Sequence, residues 1–477
     1  MSFRQTYKIT AVCFLFFCTI AEGQIKSRYF KSCSKSEFQN DIATLKLSLE
    51  LMHPALYKYT SKAAIDSVFK SVSESVKDSL SQSKFQYLIG KCLSSVRCLH
   101  TRLALNNELF DDINSFGVYI PIKKVKVENN ELYIAATADT CFRIGDKIIA
   151  INGISSSQII NTGYEAISSD GYNLTFKTYA IEEFFFFIYY AYVQQVNSFE
   201  IELLRNQKPL KIVLNGLKPK DFWNKYYALN KVNTSPVWSS LIDADKTGYI
   251  KVNSFKPDDY FNAKLDYKRS FKEVFSSFKE KNTSNLIVDL RGCQGGSIYI
   301  PMELLTYLIH KPFTYKGETF VRQYLPEVLE KLVKKDTYFH FPECNNQDSS
   351  LTCTFFSKEI YKPKKMSFKG NVYFLVDGGT LSASGMLTSI IKHLSIGQII
   401  GEETAGAFYT GSKGMEVRLP NSGVILEVSY RTGQVILEGE KDTGYGVTPD
   451  FPFHITINDV IKIEDPALLF IKTLFKP

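Results

Sequence analysis

The sequence predicts an α/β protein of several domains, with a layered α/β domain in its second half. The chain of 477 residues is longer than a single hydrophobic core usually holds. Its N-terminal part repeats apolar residues at helical spacing, as in LKLSLELM, whereas the second half alternates apolar strands with amphipathic helices. That alternation is typical of a sheet covered by helices, so we expect an α+β multidomain arrangement.

The first residues have the pattern of a secretory signal peptide. A basic start precedes an apolar run from Ile9 to Ile20, and the small residues Ala21 and Gly23 follow. The run is about a dozen residues, whereas a bilayer span needs roughly twenty. We therefore expect residues 1–23 to be removed, no stable membrane span in the mature chain, and a secreted, periplasmic or cell-envelope location. A lipid anchor on Cys18 is the alternative.

Composition excludes several kinds of partner. The formal charge of +8 is spread along the chain without basic blocks, so no nucleic acid is expected. No cysteine or histidine cluster has the spacing of a zinc site, and we expect neither a metal nor a cofactor. Seven cysteines follow the signal segment, an odd number that leaves at least one thiol free. Cys344 and Cys353 flank a polar loop, which favours a small disulfide loop.

Two domains are expected before the layered one. Residues 30–110 should form an N-terminal helical domain, interrupted at Pro54. Residues 117–216 change to short strands around IGDKIIAING at 144–153, with FEIELLRNQKPLKIVL at 199–214 as closing strands. This segment resembles a PDZ domain with a long insertion over 155–195. Within the insertion, FFFFIYYAYV is expected to be a buried helix or strand.

The third domain should span residues 238–477. NLIVDL at 285–290 and NVYFLV at 371–376 are apolar strands, each followed by a helix, near 299–310 and 383–394. Apolar residues at helical spacing in the second helix predict that it packs against a sheet.

Three motifs in this domain resemble the tail-specific, or C-terminal processing, protease family. They are DLRGCQGGS at 289–297, LVDGGTLSASGMLTSIIKHLSIGQIIGEETAG at 375–406, and GYGVTPD at 444–450, which is similar to a Gly-Val-x-Pro-Asp motif. The resemblance extends from about residue 40 to the C-terminus. It implies a crotonase/ClpP-like layered ββα catalytic domain and a serine peptidase without a cofactor.

Ser382 is the nucleophile that the resemblance implies, within GGTLSASGM at 378–386. A serine between a strand and a helix exposes its hydroxyl, and the helix N-terminus supplies unpaired N–H groups and a positive field. The oxyanion hole should combine the N–H of Ala383 with that of Gly295 or Gly296, because glycine lets a backbone approach a substrate closely. A helix cap and a tight turn are the structural alternatives for these residues.

The general base departs from the better-known branch of the family. Ala407 occupies the position of the catalytic lysine, 25 residues after the serine (407 − 382), and Lys413 is expected to be a solvated charge. The tricorn-like branch uses a histidine instead, and VRCLHTRLAL at 96–105 places His100 in that motif. A neutral imidazole can accept the serine proton near pH 7. A structural histidine at a helix end is the alternative.

An acidic third residue should precede the Gly-Val-x-Pro-Asp motif. Glu440 is favoured, with Asp442 as the alternative, although a charged surface turn explains both. The expected activity is that of a secreted endopeptidase acting on unfolded or tail-exposed polypeptides, with the PDZ-like domain binding the substrate through its C-terminus. Two alternatives remain open: a non-catalytic relative that binds peptides or hydrophobic ligands, and a small-substrate esterase or amidase.

Overall fold

The computed structural model describes residues 29–242, 246–321, 331–332, 351–356, 360–406, 409–411 and 414–475. The predicted signal peptide, Cys344 with its predicted disulfide loop, and Lys413 therefore lie outside the described residues. Within the described residues, no helix is both long enough and apolar enough to cross a membrane.

The N-terminal region is helical, as the apolar periodicity predicts. The first helix begins behind Ser34, whose hydroxyl accepts from the N–H of Glu37 while the Glu37 carboxylate accepts from the N–H of Ser34. It ends at Met52 because Pro54 cannot continue a helix. The elements are α1 Lys35–Met52, α2 Lys62–Ser75, α3 Gln82–Ser94, strand β1 Arg102–Leu103 and α4 Asn107–Phe116.

The middle region is an antiparallel sheet of order β2-β3-β4-β6-β7, with β5 paired to β4. The Asn152-Gly153 turn between β4 and β5 has positive φ at both residues, as its sequence predicts. FFFFIYYAYV is helical and largely buried. The elements are β2 Ile122–Glu128, β3 Glu131–Thr137, β4 Lys147–Ile151, β5 Ile154–Ser155, α5 Ser156–Ala166, α6 Thr175–Glu183, α7 Phe185–Ile188, a π-helical turn Tyr189–Val193, β6 Ser198–Arg205, β7 Lys208–Asn215 and α8 Pro219–Leu229.

The third region is built on a six-stranded sheet of order β19-β14-β13-β10-β9-β8, parallel except for β8. Four of the described helices share a core with one face of this sheet, and the last described helix covers the other face. The elements are β8 Val237–Ile242, β9 Thr247–Val252, α9 Pro257–Asn262, α10 Tyr267–Glu280, β10 Asn285–Asp289, α11 Tyr299–Thr306, β13 Asn371–Val376, α12 Ala383–His393, β14 Gln398–Gly401, β19 Phe451–Pro452, α13 Ile457–Lys462 and α14 Pro466–Thr473. The predicted layered α/β architecture is confirmed.

Two smaller sheets complete the fold. One has the order β12-β11-β18-β15, and the other, β1-β17-β16, joins the N-terminal region to the last third of the chain. Buried residues from Met415 to Tyr430 consequently share a core with the N-terminal helices and the middle sheet. The strands are β11 Lys316–Val321, β12 Leu351–Phe356, β15 Tyr409–Gly411, β16 Met415–Arg418, β17 Ile425–Val428 and β18 Arg431–Ile436.

Candidate active site

Ser382 lies at a sharp turn between strand β13 and helix α12. Its backbone has φ 56° and ψ −125°, a left-handed conformation that is costly for a residue with a Cβ atom. Ser382 precedes the first residue of α12, and its side chain makes no hydrogen bond that caps the helix. A serine held in this way presents its hydroxyl at the end of a sheet, as nucleophile elbows do. The simple helix-cap alternative therefore does not describe Ser382.

A glycine turn lies directly against this serine. Gly295 has φ +81°, and a Cβ atom on it would lie 2.7 Å from the carbonyl oxygen of Leu381 and 2.8 Å from the nitrogen of Ala383. Ala383 is the first residue of α12, so its N–H has no partner within the helix. Gly296 follows in an extended bridge beside Phe255. The structure thus brings Gly295 and Ala383 to Ser382, whereas Gly296 packs against Phe255.

The carboxylate of Asp377 joins the two loops of the site. Asp377 accepts hydrogen bonds from the N–H groups of Gly292, at 2.8 Å, and Gly379, at 2.9 Å. Burial raises the pKa of this carboxyl group above its ordinary value. Sequence reasoning did not assign a role to Asp377, although it lies inside the motif VDGGT. Its position directly after a buried strand was the available signal.

The third motif packs behind the nucleophile. The hydroxyl of Thr404 accepts from the N–H of Val447 at 2.8 Å, and the Glu403 carboxylate accepts from the N–H of Gly446 at 2.7 Å. The N–H of Ala405 in turn donates to the carbonyl of Thr380, at 3.0 Å. GYGVTPD is therefore a structural support for the loop that carries Ser382.

The segment with His100 is in contact with the segment with Ser382. Leu99 and Leu381, the residues directly before the histidine and the serine, share a small buried cluster with Ala405. The His100 turn is held by Asp170, which accepts from the N–H of Leu99 at 2.8 Å, and by Thr101, whose hydroxyl accepts from the N–H of Ser429 at 3.2 Å. The structure therefore brings together the two segments that carry the predicted base and the predicted nucleophile.

His100 is held as a neutral imidazole. Burial lowers the pKa of His100 to about 3, and the nearby Arg102 cation lowers it further. The Nδ1 atom is buried and has no hydrogen-bond partner among the residues that the structure describes. A neutral ring is the form that can accept a proton, but nothing in this part of the chain orients it through Nδ1.

The predicted acidic residue does not accompany the dyad. The Glu440 carboxylate lies 3.8 Å from Nδ1 of His393, at the C-terminal end of α12. Helix α12 has eleven residues, which corresponds to about 16 Å, so Glu440 lies too far from Ser382 to hydrogen-bond there. Asp442 instead accepts from the Tyr59 hydroxyl at 2.6 Å and pairs with Lys58 at 2.8 Å. This placement gives no support to Glu440 as the third residue.

Tyr179 is a site residue that the sequence did not reveal. It lies on α6, within the insertion of the middle region, yet its ring meets Gly379 and its hydroxyl lies beside Gly292. Burial raises the pKa of Tyr179 far above its ordinary value. No sequence signal identifies this tyrosine, because its contacts are more than 100 residues away along the chain.

One of the chain's Asn-x-Ser/Thr sequences is buried by the fold. Asn173, the first of the three Asn-x-Ser/Thr sites at Asn173, Asn233 and Asn282, is 1% exposed. Its amide donates to the Glu403 carboxylate at 2.8 Å and to the carbonyl of Thr404 at 3.0 Å. Asn173 is thus a buried support of the loop behind Ser382, whereas Asn233 and Asn282 are exposed.

Comparison with known families identifies the third region. Residues 246–453 match the model of peptidase family S41, and this range contains Ser382, Ala383 and both oxyanion glycines. The third region is therefore an S41 peptidase domain, and the predictions of this family and of a serine-type peptidase are confirmed. No protein of curated function matches the chain in sequence.

Solved structures share the fold over nearly the whole chain. The structure of mature CPAF complexed with lactacystin is 14% identical, with a TM-score of 0.64, and the similarity covers 92% of this chain and 97% of that one. Mature CPAF without this ligand gives 14% identity and a TM-score of 0.61, over 89% and 94%. A putative peptidase from Parabacteroides merdae gives 14% identity and a TM-score of 0.47, over 93% and 96%. The first two similarities extend the shared fold beyond the S41 region to both preceding regions.

Proposed function

We propose that this S41 peptidase is a secreted endopeptidase that hydrolyses peptide bonds of unfolded or tail-exposed polypeptides through an acyl-enzyme on Ser382. The observation that carries the proposal is the strained turn at Ser382, placed against Gly295 and the first N–H of helix α12. Secretion is supported by the signal-peptide pattern of residues 1–23.

The proposed chemistry is acyl transfer. His100 takes the hydroxyl proton of Ser382 as the serine oxygen bonds to the peptide carbonyl carbon, and the carbonyl oxygen becomes an oxyanion. The N–H of Ala383 and that of Gly295 or Gly296 stabilise this oxyanion. His100 then returns the proton to the leaving amine as the C–N bond breaks. Water, deprotonated by His100, releases the acyl group and restores the serine.

The site geometry favours catalysis over ligand storage. A binding protein has no need for a serine held at positive φ beside a close-packed glycine, because that arrangement costs on the order of 1–3 kcal/mol. Such strain persists where the surrounding structure imposes it, as the contacts of Gly295 and Ala405 do here.

A fluorophosphonate probe tests the nucleophile. We expect the wild-type protein to be labelled on Ser382, and Ser382→Ala to lose both labelling and casein hydrolysis, with a fall in kcat of about 10⁴-fold or more. Ser384→Ala is the matched control, since it removes a buried hydroxyl two residues along the same helix. We expect it to keep the label.

The alternatives give different results in the same assay. Labelling that persists in Ser382→Ala would disprove the assignment of the nucleophile. A folded protein that is never labelled would be a binding protein. Turnover of p-nitrophenyl esters without turnover of casein would identify an esterase of the same fold.

A further inference from the structure

The middle sheet has an edge at which a peptide strand would be expected to add. Strand β2 is paired with β3 on one side only, and helix α5 belongs to the same region. Extended peptides bind to such exposed edges through backbone hydrogen bonds. We define the space between β2 and α5 as the β2–α5 groove.

Helix α6 fills the β2–α5 groove. On the α5 side, Ile181 packs so closely on Gly163 that a Cβ atom there would lie 2.8 Å from the isoleucine side chain. The hydroxyl groups of Tyr164 and Thr178 also hydrogen-bond at 2.6 Å across the two helices. On the β2 side, the carboxylate of Glu182 accepts from the backbone N–H of Val127 at 2.9 Å. A carboxylate of the chain itself therefore already accepts a hydrogen bond from the backbone of the edge strand β2.

The lysines of β2 form ion pairs with the glutamates of α6. Lys126 contacts Glu182 at 2.8 Å, while Lys123 and Lys124 contact Glu183 at 2.9 and 2.6 Å. Separating partly buried ion pairs is costly, because each charge is left without its partner. An incoming peptide carboxylate would have to displace both glutamates to reach these lysines.

The occupying segment is also anchored at both of its ends. At the C-terminal end, Phe186 of α7 packs on the ring of Tyr119 with a centroid distance of 4.9 Å. At the N-terminal end, Phe176 of α6 packs on the cluster formed by Leu99, Leu381 and Ala405. Removing α6 from the β2–α5 groove would therefore disturb the residues beside His100 and Ser382.

We propose that α6 and α7 permanently occupy the β2–α5 groove. This peptidase therefore cleaves polypeptides without binding a free C-terminal carboxylate there. The inference about cleavage rests on the proposed endopeptidase function, whereas the inference that α6 and α7 occupy the groove does not. Substrates are then selected at the catalytic region alone. On this proposal, the β2–α5 groove does not bind the C-terminus of a substrate, in contrast to what the PDZ resemblance implies.

The first experiment tests occupancy without requiring catalysis. Hydrogen exchange is measured for residues 122–128 in Ser382→Ala protein, with and without a ten-residue peptide ending in a free apolar C-terminus. We expect no change in exchange, and equal fluorescence anisotropy for the labelled peptide as free acid and as amide. Protection of residues 122–128 by the free acid, or binding of the free acid tighter than the amide by about tenfold, would overturn the proposal.

The variant Glu182→Gln tests whether the Glu182 carboxylate protects the backbone N–H groups of strand β2. Glu182→Gln should increase exchange of residues 122–128 while the protein remains folded, because the N–H of Val127 loses its charged acceptor. Glu200→Gln is the matched control, since this exposed glutamate pairs with Lys211 on the other side of the sheet at 2.6 Å. Equal exchange in Glu182→Gln and the wild type would contradict the occupancy.

The second experiment tests the consequence for cleavage. An internally quenched peptide is compared as free acid and as C-terminal amide, and we expect kcat/KM values that agree within about twofold, well below the tenfold that corresponds to 1.4 kcal/mol. A preference of tenfold or more for the free acid would disprove carboxylate-independent cleavage. If neither form is cleaved, the proposed function fails, while the exchange experiment still decides the occupancy.

Discussion

Ser382 and His100 are held by contacts of very different range. Ser382 follows a buried strand and begins a helix, and its neighbours Gly295 and Asp377 lie in adjacent loops of the same sheet. The His100 turn depends on Asp170 in the middle region and on Ser429 near the end of the chain. The nucleophile is thus a product of local chain geometry, whereas the base is placed by the assembly of three regions. Substitutions far from the site should therefore disturb the base more easily than the nucleophile.

The largest expected effect on kcat comes from substitution of the predicted base, His100. His100→Gln should lower kcat by about 10²- to 10⁴-fold, because the serine proton then has no acceptor. The low pKa of His100, about 3, keeps the ring neutral in mild acid, so the acid limb of kcat/KM should lie well below pH 6 in the wild type. Steady-state kinetics over pH 4 to 9 measure both quantities.

The same kinetics distinguish the competing base. If His100→Ala retained near-wild-type turnover while Lys413→Ala lost it, the serine–histidine assignment would be wrong.

The variant Gly295→Ala tests the surroundings of the nucleophile, Ser382. Its methyl group would lie 2.7 Å from the Leu381 carbonyl and 2.8 Å from the Ala383 nitrogen, so it should obstruct the oxyanion hole and lower kcat by about 10²- to 10³-fold. Gly153→Ala is the matched control, since Gly153 has a similar φ of +75° but nothing within 4 Å of the added methyl. Equal loss of kcat in both variants would show that backbone strain alone is responsible.

Tyr179 connects the insertion of the middle region to the glycine loops of the site. Tyr179→Phe should lower kcat by up to about tenfold with little change in KM, because the loss of the hydroxyl beside Gly292 loosens the turn that carries Gly295. Tyr179→Leu should reduce kcat further, and thermal unfolding measured beside the kinetics separates this effect from loss of fold. A change in KM alone would place Tyr179 in substrate binding instead.

Asp170 should affect the pH dependence of stability rather than turnover. Burial raises the pKa of Asp170 to about 7, above the value of about 4 expected in the unfolded chain. The folded protein therefore holds the proton more tightly, and the stability contributed by the neutral acid is lost as pH rises from about 4 to 7.

Asp170→Asn cannot ionise, so its free energy of unfolding should decrease less than that of the wild type over this range, by up to a few kcal/mol. Urea unfolding at pH 4, 5.5 and 8 measures the difference, with Asp111→Asn as an exposed control. Parallel pH dependence in the wild type and Asp170→Asn would show that Asp170 ionises normally.

Much of the catalytic region could be predicted because its signals are short. Strand β13 and the start of helix α12 were predicted at their observed positions, since an apolar run followed by glycines and a periodic helix requires only neighbouring residues. The role of the oxyanion glycines was predicted through the family resemblance, from the motif DLRGCQGGS that contains them. His100 could be proposed only through the resemblance of its motif, because nothing in its local sequence distinguishes it from a structural histidine.

The sequence by itself determined the strand-to-helix turn that carries Ser382, because backbone conformation there follows from adjacent residues. Only the tertiary structure decided which groups surround that turn. It placed Glu440 at the far end of α12, buried Asn173 behind the site, and brought Tyr179 and the carboxylates of α6 to positions that no periodicity encodes. Such contacts depend on how separate regions pack, and packing is a property of the whole chain.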